Sequence, residues 1–194
     1  MNTAGQAPLP QRRSTGIAPP APLESTVKSA LATVMPWQAA RWLVSPGEPS
    51  SEVHTEWARD RPALLRVGRR FDAVRLRANE VHAYAGRADG ETPPRADVER
   101  ALADATITTA VIADLARHWY YALVPPGTAE GWTVRGIECL GRNHFLGVPA
   151  PHRVDPPGSH WLLPAPDSNS ALCDPGAVHE LIRAQRTAAA EAGQ

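Results

Sequence analysis

Lysine is almost absent from this chain: Lys28 is the only one in 194 residues, and every other basic side chain is arginine. With abundant alanine and proline, that usage reads as the product of a GC-rich genome of the actinobacterial kind, and it concerns the source rather than the chemistry. Cysteine is nearly as scarce. Cys139 and Cys173 stand alone, without a CxxC pair or paired-histidine spacing nearby, so neither a zinc site nor a disulfide framework is supported and a reducing cytoplasm fits best. An excess of one charge is missing too. Twenty basic groups balance twenty acidic ones, which removes the global positive field of strong, sequence-independent nucleic-acid binders and leaves only local binding. Long apolar runs are also lacking. Residues 1–23 hold Pro, Gly, Gln and Arg, which is neither a secretory leader nor a membrane span; a disordered arm and no membrane partner are expected.

What is present is ordinary for a soluble domain: 43% apolar and 21% charged residues, over a length sufficient for one hydrophobic core. Val27, Ala30, Leu31 and Val34 recur at helical spacing after a Ser25 or Thr26 cap, predicting an amphipathic helix from about Glu24 that Pro36 ends or kinks. Trp37 to Val44 reads as a further helical turn or two, and Ser50 to Arg59 as a short helix carrying Val53 and Trp57 inward. Ala63 to Val67 and Phe71 to Leu76 are β-rich runs divided by Gly68, which predicts a hairpin or bulged strand pair. Helical faces return at Val81, Tyr84 and Ala85, stopped by Gly86, and at Val98, Ala101, Leu102 and Ala105, with Asp97 near the start; a polar loop, Arg87 to Pro94, lies between.

Thr108 to Ile112, His118 to Val124, Thr133 to Leu140, Phe145 to Val148 and Trp161 to Leu163 are short runs punctuated by Gly and Pro, as in an α+β sheet. Asp174-Pro175 caps a last helix with Val178, Leu181 and Ile182 buried. The expectation is a single α+β domain over residues 24–186, helices packed on a mostly antiparallel sheet, with residues 187–194 as a frayed tail.

Three segments in fixed order carry the chemistry: Gly68-Arg69-Arg70-Phe71-Asp72-Ala73-Val74, Arg117-His118-Trp119-Tyr120-Tyr121, and Thr133-Val134-Arg135-Gly136. Together, from about Val27 to Leu163, they resemble the N-terminal domain of bifunctional DNA primase/polymerases, a branch of the archaeo-eukaryotic primase superfamily. The resemblance extends to Glu56-Trp57-Ala58-Arg59 ahead of the first strand, to Gly141 to Gly147, to Val148-Pro149-Ala150-Pro151 and to Gly158 to Leu163. It implies that Asp72 stands at the first metal-binding acid, that His118 lies on nucleotide phosphates from a strand it shares with Tyr120, with Trp119, Tyr121 and Leu123 facing the core, and that Arg135 follows the third acid.

The departures are equally specific. Val74 replaces the second acid, Thr133 the third, and Leu115-Ala116 the small glycines of the second motif. Two-metal nucleotidyl transfer needs hard oxygen ligands for Mg²⁺ or Mn²⁺, and Asp72 alone is a poor cage. Nothing in the sequence argues for Asp114 or Glu138 as a substitute. The implied reading is a degenerate domain serving DNA replication or mobile-element maintenance, with His118, Arg135 and Arg142 binding the phosphates of nucleotides or single-stranded nucleic acid. The alternatives are an active DNA primase/polymerase and an interaction scaffold that binds no ligand.

Taken without the family, Asp72 reads as a strand-end or salt-bridge acid and His118 as a packing imidazole. Arg69, Arg70, Arg135 and Arg142 then read as solvated surface. The six tryptophans read as packing unless several stand exposed beside the arginines. Convergence of Asp72, His118 and Arg135 on one open cleft favours binding; dispersal or burial favours a scaffold.

Overall fold

The computed structural model describes residues 1, 36–44, 47–87 and 91–192. The chain divides into two units, Met1–Thr33 and Val34–Gln194; the first, Met1 apart, lies outside the described residues, and every element below belongs to the second. The expected arm over residues 2–23 and the helix expected from Glu24 therefore lie outside the described residues.

Five α-helices and seven strands are found among the described residues, an α+β architecture whose sheets are antiparallel throughout. Helix α1 (Pro36–Leu43) carries proline at its head, where the missing N–H costs nothing, and buries Ala39 and Leu43. Helix α2 (Ser50–Ala58) buries Val53 and Trp57, four residues apart and so on one face. The Trp57 indole N–H donates to the Val148 carbonyl at 2.9 Å, which ties α2 to the smaller of two sheets.

That smaller sheet pairs β1 (Ala63–Arg66) with β6 (Phe145–Val148), Ala63 opposite Val148 and Arg66 opposite Phe145. The larger sheet is formed by β2 (Asp72–Arg77), β3 (Val111–Asp114), β4 (Trp119–Val124), β5 (Cys139–Leu140) and β7 (His160–Trp161), in the order β5-β2-β4-β3-β7. The hairpin expected between the two runs flanking Gly68 does not form. Both edges of β2 are taken, one by β4 and one by β5, while the Val67 N–H continues the β1–β6 ladder onto the His144 carbonyl at 3.0 Å. Gly68, at φ +88°, is the turn by which the chain leaves one sheet for the other, closed by its own N–H on the Phe71 carbonyl.

Two further strand expectations are corrected. Of Thr133 to Leu140 only β5 is strand, because Val134 to Ile137 close a turn around Gly136 at φ +78°. The run expected from His118 begins one residue later, since His118 sits in the left-handed region (φ 61°, ψ 38°) after a 3₁₀ turn, Leu115–Arg117.

Helix α3 (Ala78–Tyr84) buries Val81 and His82 and is followed by Gly86 at φ +88°; α4 (Arg95–Asp104) buries Val98, Ala101 and Leu102. Asp174 caps α5 (Pro175–Ala192) by accepting from the Ala177 N–H at 2.9 Å, and Val178, Leu181 and Ile182 are buried. This helix runs past Arg186 to Ala192. No helix among the described residues is long and apolar enough to cross a membrane.

Candidate functional site

Register decides which of the expected site residues meet. Asp72 pairs with Val124 at one end of β2, and Arg77 pairs with Trp119, the neighbour of His118, at the other. Five residues at about 3.4 Å each put Asp72 and Trp119, the residue after His118, roughly 17 Å apart along the sheet. His118 itself lies one residue ahead of β4 rather than on the strand it was expected to share with Tyr120. The His118 side chain is exposed, while its carbonyl accepts from the Ala78 N–H at 3.0 Å and its N–H donates to the Leu115 carbonyl at 3.1 Å. Of the expected alternation Leu123 is buried, but Tyr120 is buried too, with Nε2 of His82 2.9 Å from its hydroxyl, and Trp119 and Tyr121 are only half-buried. Arg75 lies over the Trp119 ring at 4.4 Å and pairs with Glu138 at 2.9 Å.

Asp72 is 1% exposed. Its Oδ2 accepts from the Ala129 N–H at 2.8 Å, in a 3₁₀ turn over Thr128–Gly131, and Oδ1 has no hydrogen bond. Burial pushes its pKa up, against the lowering effect of the Ala129 and Gly127 amides; Glu130 raises it further and Arg142 lowers it. Gly141 seals the other side, since a Cβ there would lie 2.6 Å from Cβ of Ala129 and 3.9 Å from both carboxylate oxygens. Asp72 holds this turn to the sheet and is closed to a solvated cation.

The positions where the resemblance calls for the second and third acids offer Mg²⁺ or Mn²⁺ no carboxylate either. Val74 is fully buried in the core, and Thr133 is exposed in the loop ahead of the Gly136 turn. Among the described residues no three His, Cys, Asp or Glu side chains group as metal ligands would. Cys139, paired in register with Val74, has its thiol pushed up to about 12 by burial and then by Asp72. Arg135 is exposed, and its carbonyl accepts from a guanidinium N–H of Arg186 on α5.

Arg142 lines a cleft. Arg66, Gly68, Arg69, Arg142, His144 and Phe145 line a depression of about 440 Å³ at the β1–β6 end. A Cβ on Gly68 would lie 2.6 Å from the Arg142 nitrogen, so only glycine lets the two turns approach this closely. Arg66 lies over the Phe145 ring at 5.5 Å, and Phe145 is 54% exposed. His144 Nδ1–H donates to the Gly141 carbonyl at 3.3 Å, leaving Nε2 for another partner. Glu48 and Glu130 stand 3.8 Å from Arg66 and Arg142, so the local positive charge is partly offset. The resemblance covers His144 and Phe145 within Gly141 to Gly147 but marks neither them nor Arg66 as binding residues; the β1–β6 register, which sets Arg66 opposite Phe145, is what brings them together.

No family model, curated protein or solved structure matches the chain.

Proposed function

We propose that this chain is a primase/polymerase-like domain that has kept phosphate binding without nucleotidyl transfer, its ligand a nucleotide or single-stranded nucleic acid and its setting DNA replication or mobile-element maintenance. The observation that carries the reading is the grouping of Arg142 with Arg66, Arg69 and His144 around the Gly68 turn. Guanidinium groups offer planar donor forks that match phosphate oxygens, and an exposed aromatic ring beside them suits a base or sugar. With Glu48 and Glu130 close by, binding is modest and weakens as salt is added. Nucleotidyl transfer is not part of the proposal, because Asp72 is committed to the Ala129 amide and Val74 to the core.

A ligand-free scaffold is the second reading, favoured by the burial of Asp72 and its separation from His118 along the sheet. Titration of a short single-stranded oligonucleotide and of a nucleoside triphosphate at low salt separates the two. Under the proposal Arg142→Ala weakens both ligands several-fold while Arg135→Ala and His118→Ala do not. Absence of binding by the intact protein leaves the scaffold.

A further inference from the structure

Beside the Arg142 cleft lies a second depression that no motif announces. Trp37, Arg41 and Trp42 on α1, Arg70 from the turn after Gly68, and Asp167 line a cleft of about 370 Å³. Trp37 and Arg41 are four residues apart and share a helix face. Trp37 is 60% exposed, although an indole is among the side chains that gain most from burial. Trp42 is half-buried against the core, and the Arg70 guanidinium lies 5.9 Å from its ring centroid. Among the described residues Arg41 and Arg70 make no ion pair. One carboxylate, Asp167, accepts from the Ser168 hydroxyl and leaves the lining net positive. Exposed tryptophan beside arginine in a net-positive lining is the arrangement by which proteins hold single strands, the ring stacking a base and the guanidinium meeting the adjoining phosphate.

The two clefts are joined by one peptide, since Arg69 lines the first and Arg70 the second. We infer that Trp37 stacks a nucleobase while Arg41 and Arg70 hold its phosphate, so that the ligand is a single-stranded polynucleotide running across both clefts rather than a mononucleotide. The inference rests on the phosphate-binding reading of the Arg142 cleft and adds to it the class of ligand. A mononucleotide reaches one cleft only, whereas a strand engages both and gains by linkage.

The test uses the full chain with three probes: thymidine triphosphate, and oligothymidylate and oligouridylate of about 12 nucleotides each. The expected result is tighter binding of at least one oligomer than of the triphosphate. Trp37→Ala should weaken that oligomer about tenfold and leave the triphosphate unchanged, and Trp37→Phe should restore most of the loss. Arg142→Ala should weaken both classes. If Trp37→Ala leaves oligomer affinity unchanged while Arg142→Ala weakens it, the stacking site is wrong and the phosphate cleft stands. If neither class binds, both fall together.

Discussion

Gly68 lies against the backbone of Arg142: a Cβ on Gly68 would come within 2.6 Å of the Arg142 nitrogen and 2.7 Å of its Cα. Gly68 also sits at φ +88°, where a side chain is strained even in open space. Gly68→Ala is therefore expected to cost about 2–4 kcal/mol, the left-handed strain adding to backbone overlap that no side-chain rotation relieves. Denaturant unfolding checks it; a loss below about 0.5 kcal/mol would mean that the two turns do not need their close approach.

Asp72 supplies a prediction with a definite sign. Burial raises its folded pKa above the ordinary 3.8, so its contribution to stability is present below pH 3.8 and is lost as pH rises through the folded value. Asp72→Asn keeps an oxygen for the Ala129 amide and removes the ionisation. The variant should gain stability relative to the native chain as pH rises from 4 to 7. Parallel denaturation curves across that range, with no divergence, would show that the native carboxylate is not strained by burial.

His82 behaves in the opposite sense. Burial holds its imidazole below the ordinary 6.5, so the folded state resists protonation and stability present above pH 6.5 is lost as pH falls through the folded value. Relative to His82→Gln, the native protein should lose ground between pH 7 and pH 5. Tyr120→Phe removes the partner 2.9 Å from Nε2 and should cost about 1 kcal/mol at neutral pH. The Tyr120 hydroxyl, pushed up to about 12 by burial, stays protonated throughout.

Supplying the acids that the primase/polymerase resemblance calls for should not create a metal site. Val74→Asp puts a carboxylate at a position with no solvent exposure, expected to cost on the order of 4 kcal/mol and to unfold the domain rather than to bind a cation. The unmodified protein should make no primers and extend none with Mg²⁺ or Mn²⁺ present. Metal-dependent incorporation of labelled nucleotide, abolished by Asp72→Ala, would place an active site where the geometry gives none.

The helices are legible in the sequence because spacing alone names a buried face: Val53 with Trp57, Val98 with Leu102, and Val178 with Ile182 each lie four residues apart and are buried. Strand partners are not legible in that way. Ala63 meets Val148 across a long stretch of chain, and only that pairing brings Arg66 to Phe145 and the Gly68 turn to Arg142. His118 reads as strand because Trp, Tyr and Tyr follow it. The left-handed position after Leu115–Arg117 takes it out, and no glycine marks that turn, histidine being one of the residues that tolerate it. Trp37 reads as core by residue type, and its exposure depends on which face α1 presents. Arg142 lines a cleft, register sets His118 at the far end of β2 from Asp72, and Arg135 lies in the exposed turn around Gly136.

Local phosphate binding at Arg142 is read in the salt dependence of oligonucleotide affinity. Each phosphate neutralised on a single strand contributes a slope of about −0.7 in log K against log salt. The native protein should show a slope equivalent to a few phosphates; Arg142→Ala should make it shallower by roughly 0.7, and Arg135→Ala should leave it as it is. A slope indifferent to Arg142→Ala, or no measurable binding at low salt, would contradict the account.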